Sequence, residues 1–203
     1  MLYVIKLSGS LLYIAYIILR PIFIMGSKSG SSTTSTAIME RDVKTDIGVK
    51  DDAREKLVET LNMRLCDEYV LYTKTRKYHW NVIGPRFHQL HEFFKEQYEI
   101  LDEMADEIAE RARQLGGKSL GTLDEFVRYS SINEDPGQNP DAQTMISNLL
   151  KDHETVIKTL RKNADEAEEL EDMATNDFFL QAVEKHEKMA WMLRAHLEGK
   201  DTI

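Results

Sequence analysis

His79, His88 and His91 fall within thirteen residues of one another in a chain of 203 that holds six histidines. Along one flank of the following helix, His91 leads to Lys95, Asp102, Asp106 and Glu110 at steps of four, seven, four and four, the neighbour spacing of a helix face. Imidazole nitrogens with carboxylate oxygens make the ligand set of non-haem iron, and zinc or manganese accept the same donors. Asp106 and Glu110, one helical turn apart, could grip one ion between them. From spacing alone, an acidic helix flank reads first as an ordinary solvated face.

Distance narrows the chemistry. His91 and Asp106 are fifteen residues apart, about 22 Å along one helix axis, whereas ligand atoms sit about 2 Å from a metal. One chain cannot bring both to a single ion. If they share one, two copies must meet antiparallel along this helix, as a two-fold interface allows. A di-iron site inside one bundle uses Glu-x-x-His pairs. No histidine here has a glutamate three residues before it, which argues against an intrachain di-iron core.

The elements that must position these groups are helical. Apolar residues recur three or four apart at Val58, Leu61, Leu65, Tyr69 and Tyr72, a first helix running from about 51 to near Trp80. Gly84-Pro85 breaks the chain, and Pro85 suits the first position of a second helix with the stripe Phe87, Leu90, Phe94, Tyr98, Leu101, Ala105, Ile108, Ala112 and Leu115. Gly116-Gly117 ends it. A third helix begins with Asn139 as cap and Pro140, its stripe running from Ile146 through His153 to Ala167, and a fourth follows Asn176, with Phe179, Ala182, His186 and Leu193 inward. Short links join the first pair and the last pair. The middle connection of about 20 residues carries Leu123, Phe126 and Val127 at helical spacing. A long middle crossover predicts an all-α, ferritin-like four-helix bundle with a short extra helix in that crossover.

Composition agrees. Ten Gly and four Pro are too few for a turn-dense sandwich or barrel. A net charge of −9 repels nucleic acid and draws in cations. The lone Cys66 makes no intrachain disulfide and reads as a small buried hydrophobe. His153 and His186, on core stripes, read as hydrogen-bonded structural histidines. His196 gives no specific signal. The acidic run from Asp165 to Asp172, with Asp177 beyond it, reads as a solvated helix end or a guide for cations.

The stretch KYHWNVIGPRFHQLHEFF, followed by ADEIAERARQLGG, spans 77–117 and resembles the Dps family of mini-ferritins. The resemblance covers roughly 51–198. It rests on H-W-N, on G-x-x-F-x-x-L-H-E, and on D-x-x-x-E-R with its terminal Gly-Gly. It implies hollow dodecamers with metal sites at two-fold interfaces, each built from two histidines of one subunit and an Asp and a Glu of another. Carried over by motif, these ligands are His79, His91, Asp106 and Glu110, and Trp80 matches the tryptophan placed for electron transfer. One position departs from the family. Lys95 stands where members carry Asp or Glu, and an ammonium group neither ligates nor tolerates a nearby Fe²⁺.

The resulting expectation is a cytoplasmic ferroxidase. It oxidises Fe²⁺ with hydrogen peroxide at inter-subunit sites, stores ferric mineral and so protects DNA from oxidative damage; zinc could occupy the same site. The rival is a non-catalytic ferritin-like shell whose site Lys95 has weakened. DNA binding is expected to be weak or absent, since residues 26–50 carry a net charge of only +1. That stretch reads as a flexible linker, 51–198 as the bundle and 199–203 as a tail. Residues 1–25 are apolar, and the reading that fits best starts synthesis at Met25 or Met39. A cleaved signal or a membrane anchor are the alternatives, and the protein meets a membrane only if the segment is retained.

Overall fold

The computed structural model describes residues 44–198. The readings for the apolar segment, most of the linker and the tail lie outside the described residues. Five helices follow one another: α1 (Asp51–Asn81), α2 (Phe87–Gln114), α3 (Leu123–Tyr129), α4 (Ala142–Glu169) and α5 (Met173–Glu198). Among the described residues there is no strand. The α1/α2 hairpin and the α4/α5 hairpin form a four-helix bundle. The segment 115–141 crosses between them and carries α3.

Each helix end has a local cause. Asp51 and Asp52 sit in the first turn of α1, where carboxylates favour the positive end of the helix. Pro85 does not open α2; Gly84, at φ +115°, reverses the chain, and the Phe87 amide closes the turn on its carbonyl at 3.0 Å. At the other end of α2 the Gly116 amide bonds Arg113 O and the Gly117 amide bonds Ala112 O, both at 3.0 Å. This paired pattern needs a left-handed residue, and Gly116 lies at φ +94°. Gly117 answers a different demand: a Cβ there would lie 2.3 Å from a Val58 methyl.

Two expected starts are corrected. The cap of α4 is Asp141 rather than Asn139, because its carboxylate accepts the Thr144 amide at 2.9 Å. α5 starts at Met173, three residues before the expected Asn176. The chain turns at Glu171 (φ +61°), and Asp172 accepts the Thr175 hydroxyl at 2.6 Å. Asn176 instead donates to Ala164 O at 2.9 Å.

The core is continuous. α2 buries Leu90, Phe94, Leu101, Ala105, Ile108 and Ala112 and leaves Asp102, Asp106 and Glu110 in solvent. α1 is enclosed on more sides, between α2, α3 and α4. It buries not only Leu57, Leu61 and Leu65 but also Arg64, Asp67, Glu68 and Lys74. Lys74 ties the crossover down through Asn133 O at 3.0 Å and reaches α4 through Asp152 at 2.7 Å. Asp67 does the same through the Ser131 amide at 2.6 Å. Thr122 and Glu125 cap α3 reciprocally, and its Phe126 stacks on Tyr69 with centroids 4.1 Å apart.

Candidate metal centre

His79 ends α1 and His91 follows the start of α2, each six residues from Pro85. The turn therefore sets them opposite each other. Their rings stack with centroids 3.7 Å apart and 21° between planes. His79 Nδ1 lies 2.7 Å from His91 O, and His91 Nδ1 lies 2.8 Å from His79 O. A carbonyl oxygen only accepts, so both Nδ1 atoms donate. In the neutral ring this leaves each Nε2 with a bare lone pair. Such a backbone bond fixes tautomer and ring direction in metal-binding histidines. It also gives a partner to one of the carbonyls that the end of α1 leaves open.

The surroundings are aromatic. Tyr98 meets the His79 ring edge-on at 5.3 Å, and Phe87 lies 5.1 Å from His91. The Arg76 guanidinium sits 5.3 Å over the Trp80 ring and 5.5 Å over Tyr98. Trp80 itself is 64% exposed beside a His79 that is buried.

The remaining ligand candidates are elsewhere. Asp106 and Glu110 are exposed, four and five turns further along α2 from His91, and neither has a bond or ion pair among the described residues. Among the described residues no three His, Cys, Asp or Glu side chains converge as metal ligands. Within one chain the structure thus brings His79 and His91 together and leaves Asp106 and Glu110 apart. Lys95 lies 3.9 Å from Glu99, one turn beyond it and on the side away from His91.

The other candidates resolve as follows. His88 is exposed. His196 packs on Phe93 at 4.7 Å, and burial holds its pKa below the usual histidine value. Burial pushes the Cys66 thiol up to about 12, so it stays protonated. The acidic run disperses: Glu166 pairs with Lys56 at 2.7 Å, Glu171 with Lys50 at 3.0 Å, and Asp172 is buried as the cap of α5. Asp177 accepts from Gln181 at 2.6 Å. His153 and His186 bond to each other across the α4/α5 hairpin, and His186 also bonds Glu68. The sequence pointed to hydrogen-bonded histidines there, but Glu68 gave no signal.

A four-helix bundle with one long crossover is the architecture of ferritin-like proteins, and the family model described as ferritin-like domain matches residues 58–202. Three known proteins narrow the assignment. A low temperature-induced protein of Nostoc sp. is 43% identical over 76% of this chain and 87% of its own. The DNA protection during starvation protein 2 of Bacillus anthracis is 39% identical over 70% and 97%. The crystal structure of a Dps protein from Bacillus brevis, at 35% identity, superposes with a TM-score of 0.70, covering 73% of this chain and 99% of that one. The chain belongs to the Dps family of ferritin-like proteins. No helix among the described residues is long and apolar enough to cross a membrane.

Proposed function

We propose that this protein is a ferroxidase and iron store. His79 and His91 of one copy, with Asp106 and Glu110 of a second copy, bind Fe²⁺ as substrate at a two-fold interface of a dodecamer. The observation that carries the reading is the crossed pair of Nδ1-to-carbonyl bonds, which leaves a bare Nε2 lone pair on each of the two stacked neutral rings. The exposed, unpaired carboxylates on the same helix supply the complementary half. At about 22 Å from His91, Asp106 serves a neighbour's histidines and not its own.

The chemistry divides among these groups. The imidazoles hold Fe²⁺, and the carboxylates, as hard anionic oxygens, favour Fe³⁺. Each of two Fe²⁺ ions gives one electron to hydrogen peroxide. The peroxide O–O bond breaks, and with two protons it leaves as two waters. Trp80, exposed next to His79, carries electrons between ions that are not bound together. The ferric product collects inside the shell. Consuming Fe²⁺ and peroxide together, in the cytoplasm, removes the reagents that damage DNA. Direct DNA contact is weak at a chain charge of −9.

The second reading is a non-catalytic shell disabled by Lys95. The lean of Lys95 toward Glu99 favours the catalytic one. Subunit mixing tests the assignment. His91→Ala and Asp106→Ala proteins each lose peroxide-dependent Fe²⁺ oxidation by on the order of 100-fold, read at the absorbance of ferric species. Dissociated and reassembled together, they regain a fraction, because some interfaces then hold one complete site. Wild-type rates in either single variant overturn the site.

A further inference from the structure

The bundle interior holds three titratable side chains that iron oxidation does not use. Glu68 of α1, His153 of α4 and His186 of α5 are each at 0% exposure. His186 stands between the other two, its Nε2 2.7 Å from Glu68 Oε1 and its Nδ1 2.9 Å from His153 Nδ1. The outer atoms, Glu68 Oε2 and His153 Nε2, are buried with no partner among the described residues. Buried charge is costly unless paired, so the number of protons held here decides whether the interior is comfortable.

The wiring limits that number. Two imidazole nitrogens share a hydrogen bond only when one carries hydrogen and the other is bare. In one state His186 is protonated, donates to Glu68 from Nε2 and to His153 from Nδ1, and the group is neutral overall. With one proton fewer, His153 Nδ1–H donates to His186, whose Nε2–H still donates to Glu68. Both hydrogen bonds survive in both states. A further proton must go to His153 or to the carboxylate. It either sets two N–H groups against each other across the Nδ1 pair, or neutralises Glu68 and leaves a buried imidazolium with no counter-charge. Neither suits a dry interior. The same burial, with His186 alongside, holds His153 well below the usual histidine pKa.

The position of the chain of bonds gives this consequence. Glu68 belongs to the α1/α2 hairpin, and both histidines belong to the α4/α5 hairpin. The charged neighbours on these helices are committed elsewhere: Asp67 to Arg64, Asp152 to Lys74, Lys185 to Glu107 and Glu187 to Arg161. The buried polar side chain of α2 is the uncharged Gln97. We infer that Glu68, His186 and His153 form an acid-released latch between the two hairpins, closed while the three together are neutral or singly negative and opened when His153 is protonated as well.

The test measures the urea midpoint of the full chain from about pH 8 to about pH 5, with His153→Gln beside the wild type. A glutamine amide still hydrogen-bonds His186 but takes no proton. Below about pH 6.5 the wild type should lose about tenfold more in folding equilibrium constant per pH unit than the variant, which keeps only the smaller loss from the half-buried His196. An equal acid slope in both overturns the latch. Should the variant fail to fold, hydrogen exchange at the histidine C2 positions of the wild type, read by mass spectrometry, decides the matter. His153 should stay uncharged until the protein unfolds, and ordinary titration near pH 6.5 in folded protein overturns the proposal.

Discussion

Two histidine pairs, His79–His91 and His153–His186, are each formed across the turn of a helical hairpin, yet they are wired in opposite senses. In the first, both Nδ1 atoms point at backbone carbonyls, and both Nε2 atoms are left without a hydrogen-bond partner among the described residues. In the second, the two Nδ1 atoms face each other and Nε2 of His186 is spent on Glu68. Backbone acceptors leave a ring nitrogen for a ligand; side-chain partners consume it. Under the proposed function the first pair holds iron while the second holds the bundle together, and each role can be broken separately.

The largest effect should come from removing the middle of the buried set. His186→Ala strands the Glu68 carboxylate in the interior, a loss of about 3–5 kcal/mol in unfolding free energy, read by urea denaturation at neutral pH. His79→Ala should instead leave stability within about 1 kcal/mol while iron oxidation collapses. If the two variants exchange these phenotypes, the division between the pairs is wrong.

Acid separates the pairs next. The folded-state pKa of His153 lies well below the ordinary 6.5 of the unfolded chain. Below pH 6.5 the unfolded state binds a proton that the native state refuses, so stability falls as pH falls. Its contribution is complete above pH 6.5 and drops by about 1.4 kcal/mol per pH unit beneath it. Stability that is flat from about pH 7 to about pH 5 would remove His153 from this role.

How far the two pairs were legible in the sequence follows from their distance along the chain. The hairpin that pairs His79 with His91 is announced by Gly84-Pro85, with both histidines equidistant from it. His153 and His186 are likewise nearly symmetric about the turn at Leu170–Glu171. Expecting that turn nearer Asn176 hid the register, because an acidic stretch with no glycine gave no sign of a left-handed residue. Glu68 was beyond reach, since its partner lies 118 residues away. The helical period marks which residues are apolar, not which polar ones the fold will enclose, and α1 is enclosed on more than one face. The Gly-Gly end of α2, by contrast, was readable, because its backbone pattern is local.

A smaller, opposite-signed change should come at Lys95. Replacing it with Asp puts a carboxylate one turn from His91 and removes a repelling charge. Fe²⁺ affinity and the peroxide-dependent rate should rise by about tenfold, a typical value for one charge at close range, with no change in the acid dependence of unfolding. An unchanged rate in Lys95→Asp would mean that the side chain, already turned to Glu99 at 3.9 Å, never faces the ion.

The smallest effect should lie in the turns that set the two registers. The first hairpin reverses at Gly84, at φ +115°, with a residue that adopts this region freely. The second reverses at Glu171, at φ +61°, where an L side chain crowds its own backbone. Its amide bonds Glu168 O and the Asp172 amide bonds Ala167 O, both at 3.0 Å, the same paired ending that Gly116 and Gly117 give α2. Glu171→Gly keeps those bonds and relieves left-handed backbone strain of about 1 kcal/mol. The exposed Lys50 contact it removes contributes little. The variant should melt a few degrees higher, by the usual relation of stability to midpoint for a chain of this size. Iron oxidation and the acid limb should stay as they are, because the turn fixes where His153 and His186 meet without touching either. A lower melting temperature would mean that the bond from Lys50 to Glu171, not the backbone, holds the α4/α5 corner.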